Sequence, residues 1–156
     1  MTKPVKLSDI LEAMEFQSED YPTCLDRDTG RIVHINADID YEARGDKPLE
    51  KLPEWMRDDV RDARRIEADE GDYVGLPDRF EIDEYDMMRE FALSREDADV
   101  SGQLLDAISG TGAFRMFKST VRRLGIEKAW YGYRDEAYKR LAREWCDENK
   151  VPYTED

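Results

Sequence analysis

The chain has 156 residues, the size of one domain, and carries 38 Asp and Glu against 24 Lys and Arg for a formal net charge of −14. Three Trp, eight Tyr, five Phe and six Met are apolar bulk that a disordered polymer lacks, so a small folded core is expected. No run approaches the ~20 apolar residues that span a bilayer. The lysines at Lys3 and Lys6 precede no apolar stretch of a secretory leader, and Cys24 and Cys146 cannot build a disulfide framework. A reduced, cytoplasmic protein is expected.

Ser8 reads as an N-cap, with Asp9 in the first turn where negative charge suits the helix dipole. Leu7, Ile10, Leu11 and Met14 then follow as one apolar stripe of a short helix. Next comes the clearest strand signal. Tyr21, Thr23 and Leu25 alternate with Cys24 and Asp26, Arg27 to Gly30 make a turn, and Arg31 to Ile35 are β-branched and alternating. Gly30 supplies the positive φ such a turn needs. An isolated hairpin is marginal in water, so this one needs helices, a second copy or a third strand of its own chain.

Residues 36–53 are polar, with Gly45, Pro48 and Pro53, and read as a partly irregular connector. A surface helix entered at Pro53 follows, anchored by Trp55, Val60, Ala63 and Ile66. Gly71 to Pro77 break it, with Tyr73 and Val74 as a short extended segment. Helical spacing returns at Ile82, Tyr85, Met88 and Phe91; Asp99 or Ser101 caps a short helix carrying Leu104, Leu105 and Ile108. Phe114, Phe117, Val121 and Leu124 line a further helix that Gly125 ends. A long last helix carries Ile126, Trp130, Tyr133, Ala137, Leu141 and Trp145. The reading is a single α+β domain, mostly helical: helix plus β-hairpin over 1–36, charged connector and surface helix over 37–75, helical core over 76–150.

The charge is unevenly placed. Residues 1–112 sum to −16, whereas residues 113–145 hold nine basic and four acidic side chains and sum to +5. Two readings follow. Either the basic helices satisfy the acidic part internally, or they offer a face to an anionic partner. In the second case Arg115, Lys118, Arg122, Arg123, Lys139 and Arg140 are the candidate contacts. Phe114, Phe117, Trp130, Tyr133 and Trp145 fall on apolar stripes, which leaves Tyr131 and Tyr138 as the exposed aromatics among those cations.

Candidate chemistry is thin. Asp26, Asp28 and Gly30 open like a calcium loop, but glycine stands at the fifth position and Ala37 at the twelfth, so a turn explains them better. His34 is the sole histidine and cannot build a multi-histidine zinc site; it reads as a strand-surface residue. Glu81, Asp83, Glu84 and Asp86 have no spacing that separates them from a solvated acidic face. Gly110, Thr111 and Gly112 precede a helix N-terminus, where backbone N–H groups hold anions. Neither the preceding strand nor the Gly-Lys-Ser/Thr ending of a phosphate loop is present. A tight helix–loop–helix corner is the plainer reading. No cofactor and no metal set is expected.

Several strings are nonetheless distinctive: Tyr21 to Val33, Leu76-Pro77 with Ile82 to Tyr85, Gly110 to Lys118, and Trp130 to Ala137 followed by Ala142 to Trp145. Across nearly the whole chain they resemble an uncharacterised bacterial family, number 0158 of the UPF series. The resemblance implies a bacterial, cytoplasmic, single-domain protein, with Gly110 to Lys118 as signature, and carries over no activity. The expectation is a non-enzymatic protein acting by protein–protein interaction or self-association. The alternatives are RNA or DNA binding through residues 113–145 and, last, a metal-assisted hydrolase.

Overall fold

The computed structural model describes residues 3–78 and 81–155. In chain order the elements are β1 (Val5–Lys6), α1 (Leu7–Glu15), β2 (Thr23–Asp26), β3 (Ile32–His34), α2 (Ala37–Arg44), a 3-10 turn (Leu49–Lys51), α3 (Glu54–Glu67), β4 (Tyr73–Gly75), α4 (Glu84–Leu93), α5 (Ala98–Ala107), α6 (Ala113–Arg123), α7 (Glu127–Glu148) and β5 (Tyr153–Thr154). Helix covers 58% and strand 9% of the described residues, so the fold is α+β and mostly helical. The chain groups into two compact units, residues 1–79 with 142–156, and residues 80–141.

In the first unit the hairpin forms with Cys24 opposite Val33. Its turn is closed by Asp26, whose carboxylate accepts the Asp28 N–H at 3.0 Å and whose carbonyl accepts the Gly30 N–H at 2.8 Å. Gly30 takes φ +78°. The Asp26–Asp28–Gly30 spacing is thus a turn. The hairpin's third strand comes from its own chain: β4 pairs antiparallel with the other edge of β2, Cys24 opposite Gly75. Flanked on both edges, all four residues of β2 are buried.

Two expectations are corrected at the helix starts of this unit. Ser8 does not cap α1. The chain arrives as β1, paired in parallel with β5, and enters the helix at Leu7 without a side-chain cap, so Ser8 lies inside the first turn. Residues 36–53 are not mainly irregular either. The Asn36 side chain accepts the Ile39 N–H at 2.8 Å and starts α2. Ile39 and Ala43 of that helix pack on Met56, Val60 and Ala63 of α3.

That register also corrects the anchor of α3. Met56 begins the buried i, i+4, i+7 series, which turns Trp55 outward and leaves it 66% exposed. The helix is not wholly a surface element, because Asp62 is fully buried. Its carboxylate accepts from Arg31 and, at 2.8 Å, from the Tyr73 hydroxyl, while a second Arg31 nitrogen reaches Asp59 at 2.5 Å. Burying a charge is costly unless it is paired and hydrogen-bonded, and this one is both. Burial, then the hydrogen bond to Asp62, pushes the Tyr73 phenol up to about 12. At the far end of α7 the Trp145 indole donates to the Gly75 carbonyl at 2.9 Å, tying residues 142–148 to β4.

In the second unit Asp83 caps α4, accepting from the Asp86 N–H at 3.0 Å. Asp97, rather than Asp99 or Ser101, caps α5 by accepting from Asp99 at 2.9 Å and Val100 at 3.3 Å. Helix α5 packs on both α4 and α6. Four aromatics meet edge to face beside them: Phe91 lies 5.3 Å from Trp130 and 5.4 Å from Tyr133, and Phe117 4.8 Å from Trp130. At the end of α6, Gly125 takes φ +71° and the Ile126 N–H reaches back to the Val121 carbonyl at 3.1 Å, a Schellman stop.

Candidate binding face

Helix α6 contains four cations and no acid. Its buried side is narrow, consisting of Phe117, Thr120 and Val121. Arg115, Lys118, Arg122 and Arg123 are all exposed, and none makes an ion pair among the described residues. Internal neutralisation therefore does not account for these four. Arg122 and Arg123 occupy the last turn, where the helix dipole favours positive charge; Arg115 and Lys118 lie nearer its positive end and have no such support.

The aromatic assignment changes in two places. Phe114 is not core: it sits one turn ahead of Phe117, beyond the buried patch, and is 49% exposed, like Met116 and Tyr131. Tyr138 is not exposed: it is 6% accessible, and its hydroxyl donates to Glu84 Oε1 at 2.8 Å while accepting from Arg134 at 3.1 Å. A satisfied hydroxyl makes tyrosine a core residue. Arg134 and Tyr138 are four apart on one face of α7, a spacing that held the signal.

Phe114, Phe117, Trp130 and Tyr131 wall a groove of about 250 Å³, with Lys118 at its edge and the Glu84–Arg134 ion pair in its lining. The Arg134 Nε donates to Glu84 Oε1 at 2.7 Å. Arg134 is thus one cation of the basic third that is neutralised internally. So is Lys139, which reaches Glu136 at 3.6 Å on its own helix. Arg140 is exposed and makes no ion pair among the described residues. Of the candidate contacts, Arg115, Lys118, Arg122 and Arg123 share α6, whereas Lys139 and Arg140 lie on α7.

Gly110, Thr111 and Gly112 form the exposed turn before α6. Gly112 takes φ +76° at the N-cap position, and a Cβ on Gly110 or Gly112 would meet nothing within 4 Å. The helix–loop–helix corner is short, with five residues between α5 and α6, but close approach does not explain its glycines: backbone conformation calls for glycine at 112, and no neighbour calls for it at 110.

The remaining candidates separate. His34 is exposed at the end of β3. Cys24 and Cys146 are free and buried, and burial, with Asp147 second, pushes the Cys146 thiol up to about 11. Asp83 is spent on its cap and Glu84 on Arg134. Among the described residues no three His, Cys, Asp or Glu side chains gather as a metal ion requires, and no helix is long and apolar enough to cross a membrane. The first unit carries its own open groove of about 540 Å³, lined in part by Asp9, Glu12, Phe16 and His34.

Residues 2–155 match a protein-family model described as Uncharacterised protein family (UPF0158). No curated protein and no solved structure matches the chain.

Proposed function

The chain belongs to the uncharacterised protein family UPF0158, and for this member we propose a role in binding: α6 docks on an acidic protein surface. One observation carries the reading. Four cations without partners and two half-exposed apolar side chains, Phe114 and Met116, share one eleven-residue helix that contains no acid. Apolar contact supplies affinity, and the cations select an acidic partner and fix its register. A polyanion carries charge along its whole length, so it meets the acidic remainder of a molecule of net charge −14 at close range, where salt does not screen it. A protein partner, whose charge is local, suits it better than nucleic acid. The buried free thiols of Cys24 and Cys146 suit a reducing, bacterial cytoplasm.

A second reading is single-stranded nucleic acid, favoured by the half-exposed rings of Phe114 and Tyr131 around a groove that Lys118 edges. Fluorescence anisotropy separates the two. The probes are a labelled Glu-rich peptide with one Phe and a labelled twenty-nucleotide oligothymidylate. The peptide is expected to bind, and Arg122→Glu/Arg123→Glu to weaken it at least tenfold, with Lys139→Glu/Arg140→Glu changing it less than threefold. Tighter binding of the oligonucleotide, with affinity falling steeply in salt, selects the second reading. Binding of neither probe, or equal binding by both double variants, overturns the α6 face.

A further inference from the structure

Helix α1 is the inverse of α6. It carries Asp9, Glu12 and Glu15 and no cation, exposes all three, and gives way at its C-terminal end to Phe16, which is 75% exposed. Phe16, Glu12 and Asp9 stand at spacings of four and seven along one side of that segment. Phe114, Lys118 and Arg122 stand at spacings of four and eight along one side of α6. At 1.5 Å of rise per residue, Glu12 and Asp9 lie about 6 and 10 Å along the axis from Phe16, and Lys118 and Arg122 about 6 and 12 Å from Phe114. Run antiparallel, the two helices place a ring against a ring and then two carboxylates against two cations in step.

Resting on the α6 binding face, we propose that its partner is a second copy of this chain. Helix α1 of one protomer lies antiparallel on α6 of the next, Phe16 enters the groove between Phe114 and Tyr131, Glu12 meets Lys118, and Asp9 meets Arg122. The two patches differ, so the contact is heterologous and builds a ring or an open chain rather than an isologous dimer. The like net charges of two copies act against approach, but at 0.15 M salt they are screened beyond about 8 Å, well short of a molecular diameter. The local ion pairs and the buried ring decide the contact.

The test is equilibrium sedimentation of the full chain at 0.15 M salt over a range of concentrations. The native protein is expected to self-associate. Lys118→Glu/Arg122→Glu and Asp9→Lys/Glu12→Lys each weaken association at least tenfold, and Phe16→Ser weakens it with every charge in place. An equimolar mixture of the two charge-reversed variants regains association that neither shows alone. A native protein that stays monomeric throughout, or a mixture that regains nothing, overturns the second copy as partner. If Lys118→Glu/Arg122→Glu then still abolishes binding of the Glu-rich peptide, the α6 face stands without self-association; if it does not, both fall.

Discussion

Arg134 holds Glu84 across fifty residues of chain, its Nε donating to Oε1 at 2.7 Å. This pair removes one cation from the face that the basic third of the sequence offers, and it fixes which face is left. Because Tyr138 shares the same carboxylate oxygen at 2.8 Å, Glu84 joins α4 to α7 through two donors. Replacing Glu84 with Gln removes the charge and weakens both bonds. The expected cost is about 1–3 kcal/mol in urea unfolding. Taking the Glu84 charge out of the groove lining makes the groove more positive, and the variant is expected to bind the Glu-rich peptide severalfold more tightly in the anisotropy assay.

The Tyr73–Asp62 hydrogen bond gives a pH dependence with a definite sign. The phenol is pushed up to about 12, above the ~10 of an unfolded tyrosine. The folded chain therefore holds that proton more tightly. The stabilisation is complete below pH ~10 and is lost as pH rises toward 12. Tyr73→Phe is expected to be about 1.5–3 kcal/mol less stable than the native protein at pH 8, since the lost bond ran to a charged group. In urea titrations the gap narrows steadily above pH 10. A gap that stays constant to pH 11.5 would mean Tyr73 does not titrate as placed.

Gly110 and Gly112 flank Thr111 but answer to different constraints. Gly112 alone takes a positive φ, and neither has a neighbour that a Cβ would meet. Gly112→Ala is expected to lower stability by about 1–2 kcal/mol through left-handed strain. Gly110→Ala is expected to be neutral or to stabilise by up to about 1 kcal/mol, by restricting the unfolded chain. Thermal or urea unfolding of the two variants side by side checks this.

Cys146 is fully buried with its thiol raised to about 11, and Cys24 is buried and raised by desolvation as well. Thiolate is the reactive form, so both are expected to resist a colourimetric disulfide reagent in native buffer and to react together in denaturant. Fast native labelling of either would contradict the packing at β2 or at the end of α7.

What was legible in the sequence was what rests on local chemistry. The hairpin declared itself through Gly30 and β-branched alternation, and the stop of α6 through Gly125. The extended segment at Tyr73 and Val74 showed, but not its place as the third strand on β2, because pairing fifty residues away leaves no mark on either strand. Helix α2 was missed because only Ile39 and Ala43 anchor it; the usable sign was Asn36, three residues before the N–H it caps. Periodicity placed Phe114 inside and Tyr138 outside. Both errors have one cause: a stripe says which residues are aligned, not where along the helix burial begins, nor that a carboxylate waits for a hydroxyl. Asp62 was hidden within the densest run of charge, where burial of a single member depends on Arg31 and Tyr73 from elsewhere. The four cations of α6 were named from sequence alone; that they lack partners could be learned only from the fold.

The most direct test of the α6 face is hydroxyl-radical footprinting of the methionines by mass spectrometry, with and without the Glu-rich peptide at saturation. Met116 is half exposed, whereas Met14, Met56 and Met88 are buried and serve as internal references. Among the methionines of the described residues, Met116 is expected to oxidise fastest in the free protein and to be protected severalfold in the complex, together with Phe114, while the buried methionines do not change. Peptide bound with Met116 and Phe114 still fully reactive would place the binding surface elsewhere and contradict the account.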